Sequence, residues 1–362
     1  MFLADVLIPL PGMYALLQTY RIFNPFFIDG CKDSHFPAKE SVSAGQFPIG
    51  ITGECTIFVF IKAKTMKKHI IPATVVALFL GLVTASAQKS GRSGLDLDLT
   101  VVTSNVRYDE PEDGVNRWDN RKDALVAEIL SVDPDIIGTQ ECLHRQRQYL
   151  KRKLKGYRTV GVAREDGKKD GEYSAIFYKK DRFRAVECGN FWLSETPDVP
   201  SLGWDAACIR IASWAFLEEK ATGKRFFFVN THLDHVGSEA RREGVNLLCR
   251  KALEIGGGCP MVVTGDFNSQ KESPDIQHVR SVGLIHTYDI AQERKVGVAS
   301  FHGFEGLEKM AEYVPEQYRP AIIDYIFISG GSCSYYEIMP EKSPDGRFVS
   351  DHCPVMAKVR LR

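Results

Sequence analysis

Met261-Val262-Val263-Thr264-Gly265-Asp266-Phe267-Asn268 is a short apolar run that stops on an acid and an amide, and its reading decides the fold. A run of this length, bounded by glycine and polar groups, describes a strand buried on both faces. The form recurs along the chain. Asp135-Ile136-Ile137-Gly138-Thr139-Gln140-Glu141 delivers Glu141, and Arg225-Phe226-Phe227-Phe228-Val229-Asn230-Thr231-His232 delivers His232. The alternating Leu97, Leu99 and Val101 run into Thr103-Ser104-Asn105, and Asp324 opens Tyr325-Ile326-Phe327-Ile328. A buried acid or amide is costly unless it is paired or bound to metal. One polar strand end is most often a turn or cap; several in one chain are expected to converge on a single cleft.

Outward from these strands, Arg121, Leu125 and Ile129, with Val126 and Leu130, lie at helical spacing until Asp133-Pro134 stops the run. Gly244, Leu247, Leu248, Ala252 and Ile255 give a second amphipathic helix, ended by Gly256-Gly257-Gly258. Residues 157–219 are richer in strands, including 173–179 and 213–218. The mixture predicts two mixed, mostly antiparallel sheets packed face to face with helices outside, a layered α/β sandwich formed as one domain by residues 95–362. Segments 195–203 and 303–320 read as surface loops.

The chain has 362 residues, of which 46 are Lys or Arg and 46 Asp or Glu. Met66-Lys67-Lys68-His69, the uncharged stretch 70–87 and Ala85-Ser86-Ala87 read as a secretory signal peptide with its cleavage site, over a membrane anchor as the alternative. A secreted or periplasmic protein starting near Gln88, with no stable membrane span and acting as a monomer, is expected. Residues 1–65 carry no periodicity or motif and are expected to be a non-native or disordered extension ahead of a natural start at Met66. Seven basic and five acidic residues fall in 1–87, leaving 39 basic and 41 acidic beyond. That balance argues against a processive grip on long nucleic acid. Seven cysteines remain beyond residue 87, without metal-binding spacing, and most read as small buried hydrophobes.

The polar ends have the composition of a phosphoester-hydrolysing site. Glu141 and Asp351 are hard oxygen donors that suit Mg²⁺ or Mn²⁺. Asp266 can orient or deprotonate water, and Asn268 can donate to a phosphate. Asp324 is a candidate partner for His352, because a neighbouring carboxylate favours the charged imidazole. Which of His232 and His352 carries the proton is left open by the sequence.

Thr103-Ser104-Asn105-Val106-Arg107-Tyr108, Thr139-Gln140-Glu141, Asn230-Thr231-His232-Leu233-Asp234-His235, Gly265-Asp266-Phe267-Asn268, Ile323-Asp324-Tyr325-Ile326 and Ser350-Asp351-His352 resemble, in order, the motifs of the endonuclease/exonuclease/phosphatase superfamily. Deoxyribonuclease I, sphingomyelinases, inositol polyphosphate 5-phosphatases and the nocturnin-like deadenylases belong to it. The resemblance implies a four-layer α/β/β/α sandwich. It implies Glu141 as principal metal ligand with Asn105 and Asp351 near the metal. It further implies that Asp266 and Asn268 activate water and hold phosphate, that Asp324 pairs with His352, and that His232 contacts phosphate.

Gly171-Glu172-Tyr173-Ser174-Ala175-Ile176-Phe177-Tyr178 resembles secreted bacterial members and the deadenylase-like branch. Tyr173 is a candidate hydrogen-bond donor to phosphate, or equally a core aromatic. Arg210 pairs either with a charge near the site or in a structural salt bridge. Asp234 and His235 reach substrate or cap a loop, and the basic run 145–155 reads as a solvated helix face. Three functions follow: a metal-dependent phosphodiesterase or phosphatase for a modest-sized phosphoester, a 3′–5′ exoribonuclease or endonuclease, and a binding module that has lost catalysis. Loops 195–203 and 303–320 are the expected substrate selectors.

Overall fold

Alternation in Leu97-Asp98-Leu99-Thr100-Val101 forms strand β1 (Leu97–Asn105) in the computed structural model, which describes residues 96–362. The signal peptide expected at 66–87 and the extension at 1–65 lie outside the described residues. Leu97, Leu99 and Val101 point into one core and Val102 into another, as a period of two requires. In chain order there follow α1 (Trp118–Ser131), β2 (Ile136–Leu143), α2 (His144–Lys153), β3 (Tyr157–Val160), β4 (Glu172–Lys179) and β5 (Phe183–Trp192). Next come β6 (Ile211–Glu219), β7 (Arg225–His232), α3 (Ser238–Gly256), β8 (Met261–Asp266) and α4 (Pro274–Ser281). The chain closes with β9 (Ile285–His286), α5 (Thr287–Ile290), β10 (Ala291–Lys295), α6 (Leu307–Tyr313), β11 (Asp324–Ile328), β12 (Gly331–Ile338) and β13 (Val355–Leu361).

The strands make a seven-stranded sheet in the order β10-β12-β13-β1-β2-β4-β3 and a six-stranded sheet in the order β5-β6-β7-β8-β11-β9. Pairs β1/β2, β10/β12 and β7/β8 are parallel and the rest antiparallel. Between the sheets, Leu99, Val101 and Ile176 pack with Phe226, Phe228 and Ile326. Trp118, Leu125, Ile129 and Leu150 of α1 and α2 pack with Ile137 and Phe177 on the outer face of the first sheet. Leu248, Ala252, Ile276 and Val279 of α3 and α4 join the core of the second. Because β7 and β8 are covered on both faces, their apolar runs are continuous rather than alternating. This is the helix-flanked two-sheet sandwich expected from the sequence.

Two expectations need correction. Strand β2 does not end at Glu141 but runs to Leu143, with an irregularity against β4 between Thr139 and Cys142. Segment 303–320 is partly helical: Leu307 at the start of α6 packs on the core and its backbone N–H donates to Glu341 Oε2 at 2.6 Å. The seven described cysteines are all free, and Cys142, Cys249, Cys333 and Cys353 are buried. Lys151, Arg152 and Lys153 are the exposed last turn of α2, where positive charge complements the helix dipole. Among the described residues no helix is long and apolar enough to cross a membrane.

A buried polar seam ties the sheets together beneath the polar strand ends. Gln140 Nε2 donates to Asn230 Oδ1 (2.7 Å) and Thr103 Oγ1 (3.0 Å), and Thr264 Oγ1 donates to Asn230 Oδ1 (3.0 Å). Asn230 Nδ2 in turn donates to the Thr139 carbonyl at 2.9 Å. The close approach needs a glycine: a Cβ on Gly138 would lie 2.4 Å from Thr264 Oγ1 and 2.5 Å from Asn230 Oδ1. Gly138→Ala is therefore expected to destabilise the fold by about 2 kcal/mol or more, the range of overpacked cores. A thermal melt within about 1 °C of the parent would refute the tight seam, since each kcal/mol moves a domain of this size by roughly 2–4 °C.

Candidate active site

Register brings the polar ends to one edge of both sheets. Asn105 pairs with Gln140 across parallel β1 and β2, placing Asn105 beside the Glu141 segment. Across the sandwich, His232 pairs with Asp266 in parallel β7 and β8, and Asp324 pairs with Asp266 from antiparallel β11. Asp351 and His352 arrive from the segment just before β13, and Phe301 bridges to His352. Glu141, Asn268 and Arg107 all have left-handed backbones (φ 57°, 47° and 52°), a conformation that costs a non-glycine residue about 1 kcal/mol or more and concentrates at functional sites. At Glu141 it accompanies the bulge in β2, which turns the carboxylate towards Asn105.

Asn105 is the hub. Its Nδ2 donates to Glu141 Oε1 and to Asp266 Oδ2, both at 3.0 Å, and lies 3.3 Å from His352 Nε2. His352 Nδ1 meets Asp324 Oδ2 at 2.9 Å, which leaves Nε2 3.7 Å from Asp266 Oδ2. His232 Nε2 stands 3.5 Å from the same Asp266 oxygen and 3.1 Å from Asn268 Nδ2. The Asn268 backbone N–H donates to Asp266 Oδ1 at 2.9 Å, which fixes the carboxylate. Seven of the nine sequence candidates thus form one hydrogen-bonded group; Asp351 joins it through Arg107, whose Nε is 3.7 Å from Asp351 Oδ2 and whose Nη1 is 4.0 Å from Glu141 Oε2.

Tyr173 does not join. Its ring is buried in the core beneath α2, and its hydroxyl donates to the Lys168 carbonyl (2.7 Å) and meets His144 Nδ1 (2.8 Å). The expected phosphate contact is corrected to a core aromatic, because Tyr173 pairs with Cys142 in the ladder and shares its buried face. Arg210 pairs with Asp234 at 3.2 Å. Asp234 caps a loop, accepting from the N–H groups of Val236 (3.0 Å) and Gly237 (2.7 Å), and these backbone donors hold its carboxyl down at about 2 against the effect of burial.

Burial and charge separate the two histidines. Burial pushes His352 down, but Asp324, Asp266 and Asp351 outweigh it and hold the imidazole well above its ordinary value. Burial, with Arg210 and Arg164 adding to it, keeps His232 well below and hence neutral. Burial and the Asp324 charge push Asp266 up to about 7, and burial with Glu141 raises Asp351. Carboxylates penalised in this way are what a divalent cation relieves, and Glu141, Asp266 and His352 each offer a ligand atom within 4.8 Å of one another. The donor set therefore fits a hard divalent metal. Of the expected set of Glu141, Asn105 and Asp351, this group contains Glu141; Asn105 turns its amide nitrogen to the carboxylates while its Oδ1 accepts from the Arg107 N–H at 2.9 Å, and Asp351 Oδ2 lies 3.7 Å from Arg107 Nε. A charged His352 has no lone pair to give, so the oxygens of Glu141 and Asp266 are the firm members of the group.

The sequence reading passed over three supports. Arg121, assigned only to an amphipathic helix, is buried and donates to the carbonyls of Val106 (2.7 Å), Arg107 (2.8 Å) and Val349 (3.1 Å), stitching three site segments together. Arg107 links Asp113, Asp351 and Glu141. Ser300 accepts from the Ile323 and Asp324 N–H groups at 3.0 and 3.3 Å. A charged residue on the apolar stripe of α1 was the available signal for Arg121; nothing local marked Ser300.

A family model described as the endonuclease/exonuclease/phosphatase family matches residues 102–352. Among solved structures, the chain is 41% identical to an endonuclease/exonuclease/phosphatase from Bacteroides vulgatus, over 74% of this chain and 100% of that one, with a TM-score of 0.67. It is 37% identical to a mannosyl-6-phosphatase from Bacteroides thetaiotaomicron, over 72% and 99%, with a TM-score of 0.66. Among curated proteins, the CCR4-Not complex 3′-5′-exoribonuclease subunit Ccr4 of Candida albicans is 27% identical over 68% of this chain. The chain spans 38% of the length of that relative.

Proposed function

Since the chain belongs to the endonuclease/exonuclease/phosphatase family, whose members are phosphoester hydrolases, we propose that it is a Mg²⁺- or Mn²⁺-dependent phosphatase or phosphodiesterase acting on a small phosphoester. The observation that carries this is the Asp324–His352 pair at 2.9 Å, which aims a charged imidazole Nε2 at the carboxylate group containing Glu141. Glu141 would hold the cation, with Asp266 close enough to share it and Asn105 spacing the two. The bound cation would neutralise negative charge gathering on the phosphoryl oxygens.

The protein's own groups divide the remaining work. Asp266, fixed by the Asn268 N–H and pushed up to about 7, is suited to take a proton from the attacking water. His352, charged, donates through Nε2 to a phosphoryl oxygen or to the departing alcohol. Neutral His232 and the Asn268 amide orient the phosphate, and Arg121 and Arg107 keep the strand ends in place. The mannosyl-6-phosphatase, similar along nearly its whole length, supports a small monoester. The likeness to Ccr4 favours a second reading, an exoribonuclease, which the balanced charge of 88–362 counts against.

Purified protein tested on p-nitrophenyl phosphate, bis-p-nitrophenyl phosphate and single-stranded RNA separates these. Turnover of a small ester with Mg²⁺ or Mn²⁺, lost in EDTA and restored by added cation, is the expected result. Activity on RNA alone would replace the small-ester reading, and undiminished activity in EDTA would remove the metal from it.

A further inference from the structure

Glu141 and His232 share a cavity of about 10 Å³ with Arg164, Glu172, Ser174 and Arg210. That is the space of one water molecule, and a buried water is held where polar groups surround it. Of the two carboxylates in its wall, Glu141 has both oxygens engaged, by Asn105 Nδ2 (3.0 Å) and the Tyr108 N–H (3.1 Å). Glu172 accepts from Arg164 Nη1 at 2.8 Å through Oε2, which leaves Oε1 for a second donor. The buried Nδ1 of His232 has no hydrogen-bond partner among the described residues.

The other ring nitrogen fixes what Nδ1 carries. Asn268 Nδ2 donates to the Leu233 carbonyl at 3.0 Å, and a carbonyl oxygen can only accept, so this bond identifies the nitrogen end of the amide. The same Nδ2 lies 3.1 Å from His232 Nε2 and has a second hydrogen to give. Nε2 is therefore an acceptor, and in a neutral imidazole the proton then sits on Nδ1. The opposite tautomer would set two N–H groups against each other at Nε2 and leave Nδ1 a buried acceptor without a donor. A buried Nδ1–H left unmatched costs about 1–3 kcal/mol. His232 makes no direct hydrogen bond to Glu172, and the cavity that both line is one water in size.

We propose that this cavity holds a structural water that accepts from His232 Nδ1–H and donates to Glu172, making Glu172 a positioning residue that fixes the tautomer and ring orientation of His232. The proposal deepens the phosphoester-hydrolase reading. The Nε2 lone pair presented in this way holds the side chain of Asn268, whose backbone N–H in turn fixes Asp266. Outer partners that orient a histidine in metal sites are worth about 10–100-fold when removed, and Glu172 stands in that relation to His232.

The test reads the tautomer directly. NMR of the protein labelled with ¹⁵N at histidine, with His232→Gln used to assign the resonances, is expected to show His232 protonated on Nδ1 and unprotonated on Nε2. In Glu172→Leu the single tautomer should give way to a mixture or to a proton on Nε2. Glu172→Gln keeps an acceptor for the water and should keep the parental tautomer. Turnover of p-nitrophenyl phosphate with Mg²⁺ or Mn²⁺ should follow the same order, with kcat about tenfold or more lower in Glu172→Leu and mostly recovered in Glu172→Gln. Both variants lose the charge that pairs with Arg164, so equal losses in the two would reduce Glu172 to a partner of that ion pair and overturn the proposal. A proton on Nε2 in the parent, or an unchanged tautomer in Glu172→Leu, would also overturn it. The parent spectrum decides if neither variant folds. It needs no substrate, so it separates failure of this proposal from failure of the hydrolase reading, which a folded parent inactive on every phosphoester would show.

Discussion

His352→Gln is expected to lower kcat/KM for the small-ester substrate about 10³-fold, within the 10²–10⁴ range for a positioned acid or base. The imidazole is buried, anchored through Nδ1 on Asp324, and held charged by three carboxylates, so glutamine keeps a hydrogen-bonding end but loses the charge and the transferable proton. Asp324→Asn tests the same pair from the other side. Without that carboxylate the imidazolium is less favoured and loses its proton at lower pH. The alkaline limb of the pH–rate profile should therefore move to lower pH, with a smaller fall in the maximum rate. Circular dichroism is the necessary control, because breaking a buried pair by removing one partner costs about 3–5 kcal/mol. A folded His352→Gln protein with more than a tenth of parental activity would remove His352 from the chemistry.

Glu141→Gln should be nearly as severe and should act through the metal. Glu141 is one of the three side chains that could hold a cation, its backbone is held at φ 57° in the bulge of β2, and its two oxygens accept from Asn105 Nδ2 (3.0 Å) and the Tyr108 N–H (3.1 Å). Glutamine preserves the shape but removes the charge that a hard cation requires. Removing a partner outside the ligand shell costs about 10–100-fold in metal affinity, and loss of a ligand should exceed that. Calorimetric titration with Mn²⁺ should show binding weakened more than about 100-fold, with activity partly regained at high metal concentration. Parental affinity in Glu141→Gln would transfer the cation to Asp266 and its neighbours.

Much of the site was legible because its residues lie at the ends of short apolar strands, where local pattern and motif coincide. Asn105, Glu141, His232, Asp266, Asn268, Asp324 and His352 were all chosen from consecutive residues, and register brings them to one edge. The miss at Tyr173 has a definite cause. A strand residue faces one of two sides, and β4 is buried on both, so hydropathy could not decide between them. What the sequence could not show at the metal end is that Asn105 is as near to Asp266, 161 positions away, as to Glu141, because that contact forms only when the two sheets pack.

The sequence by itself determined the alternation of strands and helices, the order of the polar strand ends and the type of chemistry they carry, because periodicity and motif are properties of neighbouring residues. Only the tertiary structure sets carboxylates against His352, which raise its pKa, and buries His232, which lowers it; it also brings Glu141 and Asp266 together and places Tyr173 in the core. Protonation and ligand grouping depend on burial and on charges brought within a few ångströms from distant parts of the chain. Those quantities exist once the two sheets have closed on each other.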